Sequence, residues 1–119
     1  MNAPRLLFLI SEDWFFCSHR LPLAIAAREA GYHVTVATRV TRDGDRIRDA
    51  GLDLIPLHWS RRSTHPLREW SALREVVSVF RRVRPDIVHQ VAIKPVLYGC
   101  IAARLTGVPV VVNAVAGLG

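Results

Sequence analysis

A chain of 119 residues that is 50% apolar and 22% charged, with 7 glycines and 7 prolines scattered along it, is neither a disordered tail, a collagen-like repeat nor a coiled coil. Its apolar runs fall far short of the ~20 residues of a membrane span, and Cys17 and Cys100, its only cysteines, lack the spacing of a zinc site and the number for a disulfide framework. A net charge of +6, with all but one of the 16 basic side chains arginine, suits a phosphate, a nucleic acid or an anionic membrane surface as partner.

At this length folding buries roughly two-thirds of the chain's surface, enough for one self-standing core, so residues 1–119 are expected to form a single domain. The first apolar stretch follows Arg5 but meets Glu12 and Asp13 at once. It is shorter than the roughly 7 to 15 apolar residues of a secretion signal and lacks a small-residue cleavage site, which favours a cytoplasmic location.

Apolar runs of strand length occupy residues 5–10, 33–38, 52–57, 87–90 and 108–115. Between them, residues 21–30 have helical spacing, with Pro22 in the first turn and Gly31 as the closing residue. Residues 45–50 form a short helix closed by Gly51. Residues 66–84 repeat Leu67, Trp70, Leu73, Val76, Val77, Phe80 and Val83 at a period near 3.6, which predicts a helix with that face inward. Residues 95–106, followed by Gly107, form the last helix. Strands alternating with helices predict an α/β, Rossmann-like parallel sheet of about five strands with helices on both faces. Right-handed crossovers give the strand order 3-2-1-4-5 and a switch point between the first and fourth strands, where ligands bind.

Two segments at that switch point carry chemistry. The first, from Ser11 to Arg20, has no G-x-G-x-x-G and no Walker lysine, which argues against cradles of those types and against a nucleotide-dependent oxidoreductase. It delivers His19 and Arg20 to the expected start of a helix, where N–H groups and the dipole favour an anion. The second segment holds His89 and Lys94, the only lysine. At a helix start a cation is disfavoured by the dipole, so Lys94 either snorkels or answers a bound anion.

Residues 59–84 gather seven arginines against two glutamates, five of the net six positive charges. Trp59 and Trp70 flank the run, and tryptophan beside arginine suits a membrane interface, so Trp59, Arg61, Arg62 and Arg68 are expected to face an anionic lipid surface. No nucleic-acid motif or array of stacking aromatics accompanies the run, so no nucleic-acid partner is expected.

The segments Ser11-Glu12-Asp13-Trp14-Phe15-Phe16-x-Ser18-His19-Arg20, Gly31-Tyr32-His33-Val34-Thr35-Val36-Ala37-Thr38 and Pro85-Asp86-Ile87-Val88-His89 follow one another here. They are succeeded by Lys94-Pro95-x-x-Tyr98-Gly99-x-x-Ala102-Ala103-Arg104-x-x-Gly107-Val108-Pro109 and Gly117-Leu118-Gly119. In order and spacing they resemble bacterial family 4 glycosyltransferases of the GT-B fold, most closely the branch acting on lipid-linked glycan intermediates. The resemblance implies a truncated N-terminal, acceptor-binding domain of a larger two-domain enzyme, inactive alone, whose missing C-terminal domain holds the nucleotide-sugar, a UDP-sugar. Retaining transfer of a hexose or N-acetylhexosamine to a lipid-linked or polysaccharide acceptor, at the inner face of the membrane, is the implied activity.

By that resemblance His19, Arg20, His89 and Lys94 contact the acceptor or its pyrophosphate, and Glu12, Asp13, Gly117 and Gly119 are further loop contacts. No metal and no organic cofactor is implied. Two positions depart from the family: Trp14-Phe15-Phe16-Cys17 replace a common glycine pair, and Val115 stands where relatives have a histidine near the end of the fifth strand. The competing implication is a non-catalytic, membrane-docking subunit of a split glycosyltransferase.

Overall fold

The computed structural model describes residues 3–59 and 66–114. In chain order the elements are β1 (Arg5–Glu12), α1 (Asp13–His19), α2 (Leu21–Glu29), β2 (His33–Arg39), α3 (Gly44–Asp49), β3 (Asp53–Pro56), α4 (Pro66–Val83), β4 (Ile87–Val91), α5 (Ile93–Thr106) and β5 (Val110–Ala114). The strands form one sheet in the order β3-β2-β1-β4-β5, and every pairing is parallel. This is the order inferred from right-handed crossovers, with β1 and β4 adjacent at the switch point.

β1 shows why the sheet is covered on both sides. Leu7, Phe8, Leu9 and Ile10 are all fully buried, and a strand sends successive side chains to opposite faces. Leu7 and Leu9 join Val88, Val76, Val79 and Phe80 beneath α4, with Ala102 and Ala103 of α5. Phe8 and Ile10 join Val34, Val36 and Val91 against Phe16 of α1, Ala24 of α2 and Ile47 of α3. A strand buried on both faces must be apolar throughout, which is the uninterrupted run seen in the sequence.

Three features differ from the sequence reading. The segment expected as a loop after β1 is the helix α1, because Phe16 and Cys17 reach the core only if the chain coils directly after Glu12. In α4 the buried stripe is Ala72, Val76, Val79 and Phe80, whereas Leu67 and Trp70 are 73% and 62% exposed. At 3.6 residues per turn Trp70 lies about 140° from the centre of that stripe, so the two apolar faces compete and the sheet takes the other one. Trp59, expected on a membrane surface, fills the core instead: it is 5% exposed and its Nε1–H donates to the Ser11 carbonyl at 3.3 Å.

α5 approaches β4 closely at Gly99. A Cβ there would overlap the Gln90 side-chain oxygen and press on Leu9 at 3.0 Å. Gln90 is fully buried; its amide N–H donates to Asn113 Oδ1 at 2.6 Å, and Oε1 has no hydrogen-bond partner.

Candidate functional site

The carboxyl end of β1 runs into α1 through Glu12, whose backbone is extended (φ −133°, ψ 141°). Asp13 is fully buried. Its Oδ2 accepts the backbone N–H groups of Thr41, Arg42 and Asp43 at 2.9, 2.9 and 2.7 Å. Its Oδ1 accepts the Thr41 hydroxyl at 3.0 Å and the Trp14 N–H at 2.8 Å. Burial pushes the carboxyl pKa up, but the bonds from Asp43, Arg42 and Thr41 outweigh it and hold Asp13 below its ordinary value. Asp13 was expected as a loop contact; its oxygens instead face the chain's own donors and tie the β2–α3 connection to the end of β1. Glu12, 5% exposed, accepts from Arg39 Nη1 at 3.4 Å.

His19 lies in the last turn of α1, not at a helix start. Its ring stacks on Phe15 with centroids 4.3 Å apart, and Nδ1 lies 3.2 Å from the Phe15 carbonyl oxygen. Arg20 is the junction between α1 and α2 and the residue preceding the first turn of α2. Its Nε–H donates to His89 Nε2 at 3.3 Å, and Nη1 donates to the His19 carbonyl at 3.2 Å. His89 stands opposite Phe8 in the β1–β4 register, with the two ring centroids 5.2 Å apart. Burial, and then the Arg20 charge, push the His89 pKa below its ordinary value. The imidazole is therefore neutral at pH 7, with Nε2 as the acceptor and the proton on Nδ1.

Lys94 occupies the first turn of α5, as expected, and pairs with Glu69 of α4 at 3.2 Å. Its ammonium also lies 5.8 Å from the centre of the Tyr98 ring. The structure thus joins Arg20 and His89 directly, while His19 rests on α1 and Lys94 belongs to the α4–α5 face. Glu69 was read only as a charge on a helix; no local pattern announces its role as the lysine's partner. Ala92, between β4 and α5, has φ 82° and ψ 164°. That backbone region belongs almost wholly to glycine and costs on the order of 1–3 kcal/mol for another residue.

Arg68 lies in the first turns of α4 and lines a hollow with His58 and Trp59. Arg61, Arg62, Gly117 and Gly119 lie outside the described residues. Among the described residues no group of three or more His, Cys, Asp or Glu side chains is placed to hold a metal ion. Nor is any helix among them long and apolar enough to cross a membrane.

Solved structures share this architecture. The calicheamicin glycosyltransferase CalG4 superposes with a TM-score of 0.75 at 17% identity, over 100% of this chain and 34% of that one. MurG of Acinetobacter baumannii gives 0.67 at 18% identity, over 92% of this chain and 34% of that one. The C-terminal domain of PF1911 hydrogenase from Pyrococcus furiosus gives 0.69 at 12% identity, over 97% and 93% of the two chains. At such identities the likeness is one of fold, and the chain spans about a third of the length of the glycosyltransferases it matches. Comparison with curated proteins finds no significant match.

The fold is the α/β, Rossmann-like unit found in GT-B glycosyltransferases. A family model described as glycosyl transferase 4-like matches residues 5–119, and the chain belongs to that family.

Proposed function

We propose that this chain is the acceptor-binding half of a glycosyltransferase that moves a sugar from a nucleotide-sugar to a lipid-linked or polysaccharide acceptor. The observation that carries the reading is the Arg20–His89 bond across the β1–β4 switch point. Neutral His89 fixes the guanidinium from one side, and its remaining N–H donors suit a phosphate oxygen at the carboxyl edge of the sheet. Lys94, at the amino end of α5, would exchange Glu69 for the same anion. The nucleotide-sugar, a UDP-sugar by resemblance, belongs to a second domain, and so does the retaining chemistry. The chain alone is accordingly expected to transfer no sugar, because a cleft between two domains needs both walls.

Arg20→Ala in the full-length enzyme tests this. A desolvated phosphate contact is worth about 2–4 kcal/mol in kcat/KM, whereas an exposed arginine without a ligand changes the rate little. A near-wild-type kcat/KM in a folded Arg20→Ala enzyme overturns the reading.

A second reading, a membrane-docking and non-catalytic subunit of a split transferase, draws support from one surface. Trp70 and Leu105 line a hollow between α4 and α5 together with Arg74 and Arg81, an apolar and cationic combination that suits the anionic, cytoplasmic face of a bilayer. Sugar transfer that appears only when a separate donor-binding chain is added would establish that second reading.

A further inference from the structure

The other end of the sheet, where the strands begin, holds a concentration of arginine that the switch point does not use. Arg5 opens β1, and Arg81, Arg82 and Arg84 end α4 or follow it. Arg5, Arg81 and Arg84 line a hollow of about 640 Å³ with Asp86, Thr106 and Gly107. Arg5, Arg82 and Arg84 line an adjoining one of about 390 Å³. Arg5 and Arg84 are thus the wall between the two, and the Arg5 Nη1–H reaches the Arg84 carbonyl at 3.5 Å. Among the described residues none of these four arginines is paired with a carboxylate. The larger hollow also holds one acid, Asp86, whose Oδ2 accepts the backbone N–H of Arg5 at 2.8 Å, and the smaller holds Asp53, which lies 2.6 Å from His33.

The α4 macrodipole accounts for cations in its last turn, Arg81 and Arg82. It also favours Arg84, whose N–H closes α4 on the Phe80 carbonyl at 2.9 Å, but it does not account for Arg5, which is on a strand. Elsewhere in this fold the left-handed residue after a helix is glycine: Gly31, Gly51 and Gly107, with φ of 103°, 81° and 76°. After α4 the same role falls to Arg84, with φ 51°. A long cationic side chain therefore stands where the backbone favours glycine, and that side chain lines both hollows.

We propose that Arg5, Arg81 and Arg84 form a second anion site, for a phosphate-bearing ligand of diphosphate size, at the amino-terminal pole of the sheet. Three arginines lining one hollow, none of them paired with a carboxylate among the described residues, are the kind of donors such a ligand requires. The ligand is either a free diphosphate or the phosphate of a lipid headgroup, and the chemistry is common to both. The site is separate from the switch point, so it stands whether or not Arg20 contacts a substrate.

Arg84→Gly is the deciding variant, because it relaxes the backbone while removing the charge. It is expected to raise Tm by a few degrees. Titration of the 119-residue chain with inorganic pyrophosphate, followed by amide NMR shifts, is expected to move Arg5, Arg84 and Gly107 in the wild type. Arg84→Gly should weaken that binding about tenfold or more, whereas Arg20→Ala should leave it in place; Arg5→Gln supplies a second variant. If pyrophosphate moves nothing but vesicles containing phosphatidylglycerol bind, and phosphatidylcholine vesicles do not, loss of that binding in Arg84→Gly assigns the site to a lipid headgroup. An Arg84→Gly chain that binds pyrophosphate and vesicles like the wild type overturns the proposal and reduces Arg84 to a strained helix end.

Discussion

Asp13 gathers three successive backbone N–H groups and a hydroxyl onto one buried carboxylate. Asp13→Ala would remove the acceptor of all of them, and a loss of about 1–3 kcal/mol is expected in urea unfolding. The sign of its pH dependence follows from its lowered pKa. The contribution is complete above the ordinary carboxylate value, near 3.9, and disappears as pH falls through the lowered folded value, so Asp13→Asn should flatten the acid limb of the stability curve. His89 acts in a higher window. Its folded pKa is also lowered, so the unfolded chain takes up the proton first and stability declines as pH falls below about 6.5. His89→Gln, which cannot titrate, should remove that part of the slope between pH 5 and 7, measured as the shift in urea midpoint. An unchanged slope would mean that the imidazole is as readily protonated in the fold as in water.

The elements differ in how much of them can be read without coordinates. β1, β2 and β4 announce themselves as apolar runs, and short helical connections leave one simple crossover order, which the sheet adopts. α4 announces its existence but not its orientation, since Leu67-Trp70-Leu73-Val77 and Ala72-Val76-Val79-Phe80 both repeat at helical spacing. Only the shape of the sheet beneath selects the second, and the same selection puts Trp59 in the core and Trp70 outside. α1 is hidden because Trp14, Phe15 and Phe16 are consecutive and show no helical period. Of the site, the meeting of Arg20 and His89 follows from topology, since β1 and β4 are neighbours. The Lys94–Glu69 pair joins residues of different helices and leaves no local trace. The contact of α5 with β4 yields a prediction at this scale. Gly99→Ala places a methyl group against the Gln90 amide and Leu9, and neither can move without disturbing the Asn113 bond or the core. A destabilisation of at least about 1–3 kcal/mol is expected, read as a lower urea midpoint at unchanged m-value.

At the scale of the molecule, apolar surface is distributed very unevenly. Among the described residues every large apolar side chain that is strongly exposed, save Leu23, lies on α4, α5 or β5. On α5 they form one stripe, Ile93, Leu97, Ile101 and Leu105, four residues apart and hence on one face. Glu69 is paired with Lys94, which leaves Glu75 as the one acid of α4 against Arg68, Arg74, Arg81 and Arg82. Such a surface is expected to dock reversibly on anionic vesicles, each basic residue near the surface contributing about 1 kcal/mol. Trp70 is the natural probe: Trp59 is buried and Trp14, on α1, is half-buried, so in a Trp14→Phe background a blue shift of tryptophan emission on adding phosphatidylglycerol vesicles would report the α4 face. The shift should be absent with phosphatidylcholine, fade as salt shortens the screening length below about 8 Å, and diminish in Arg74→Ser and Leu105→Ser. If the emission shifts equally with neutral lipid, the arginines play no part. If it shifts instead with protein concentration and sedimentation shows a dimer, the face binds a second copy of the chain rather than a membrane.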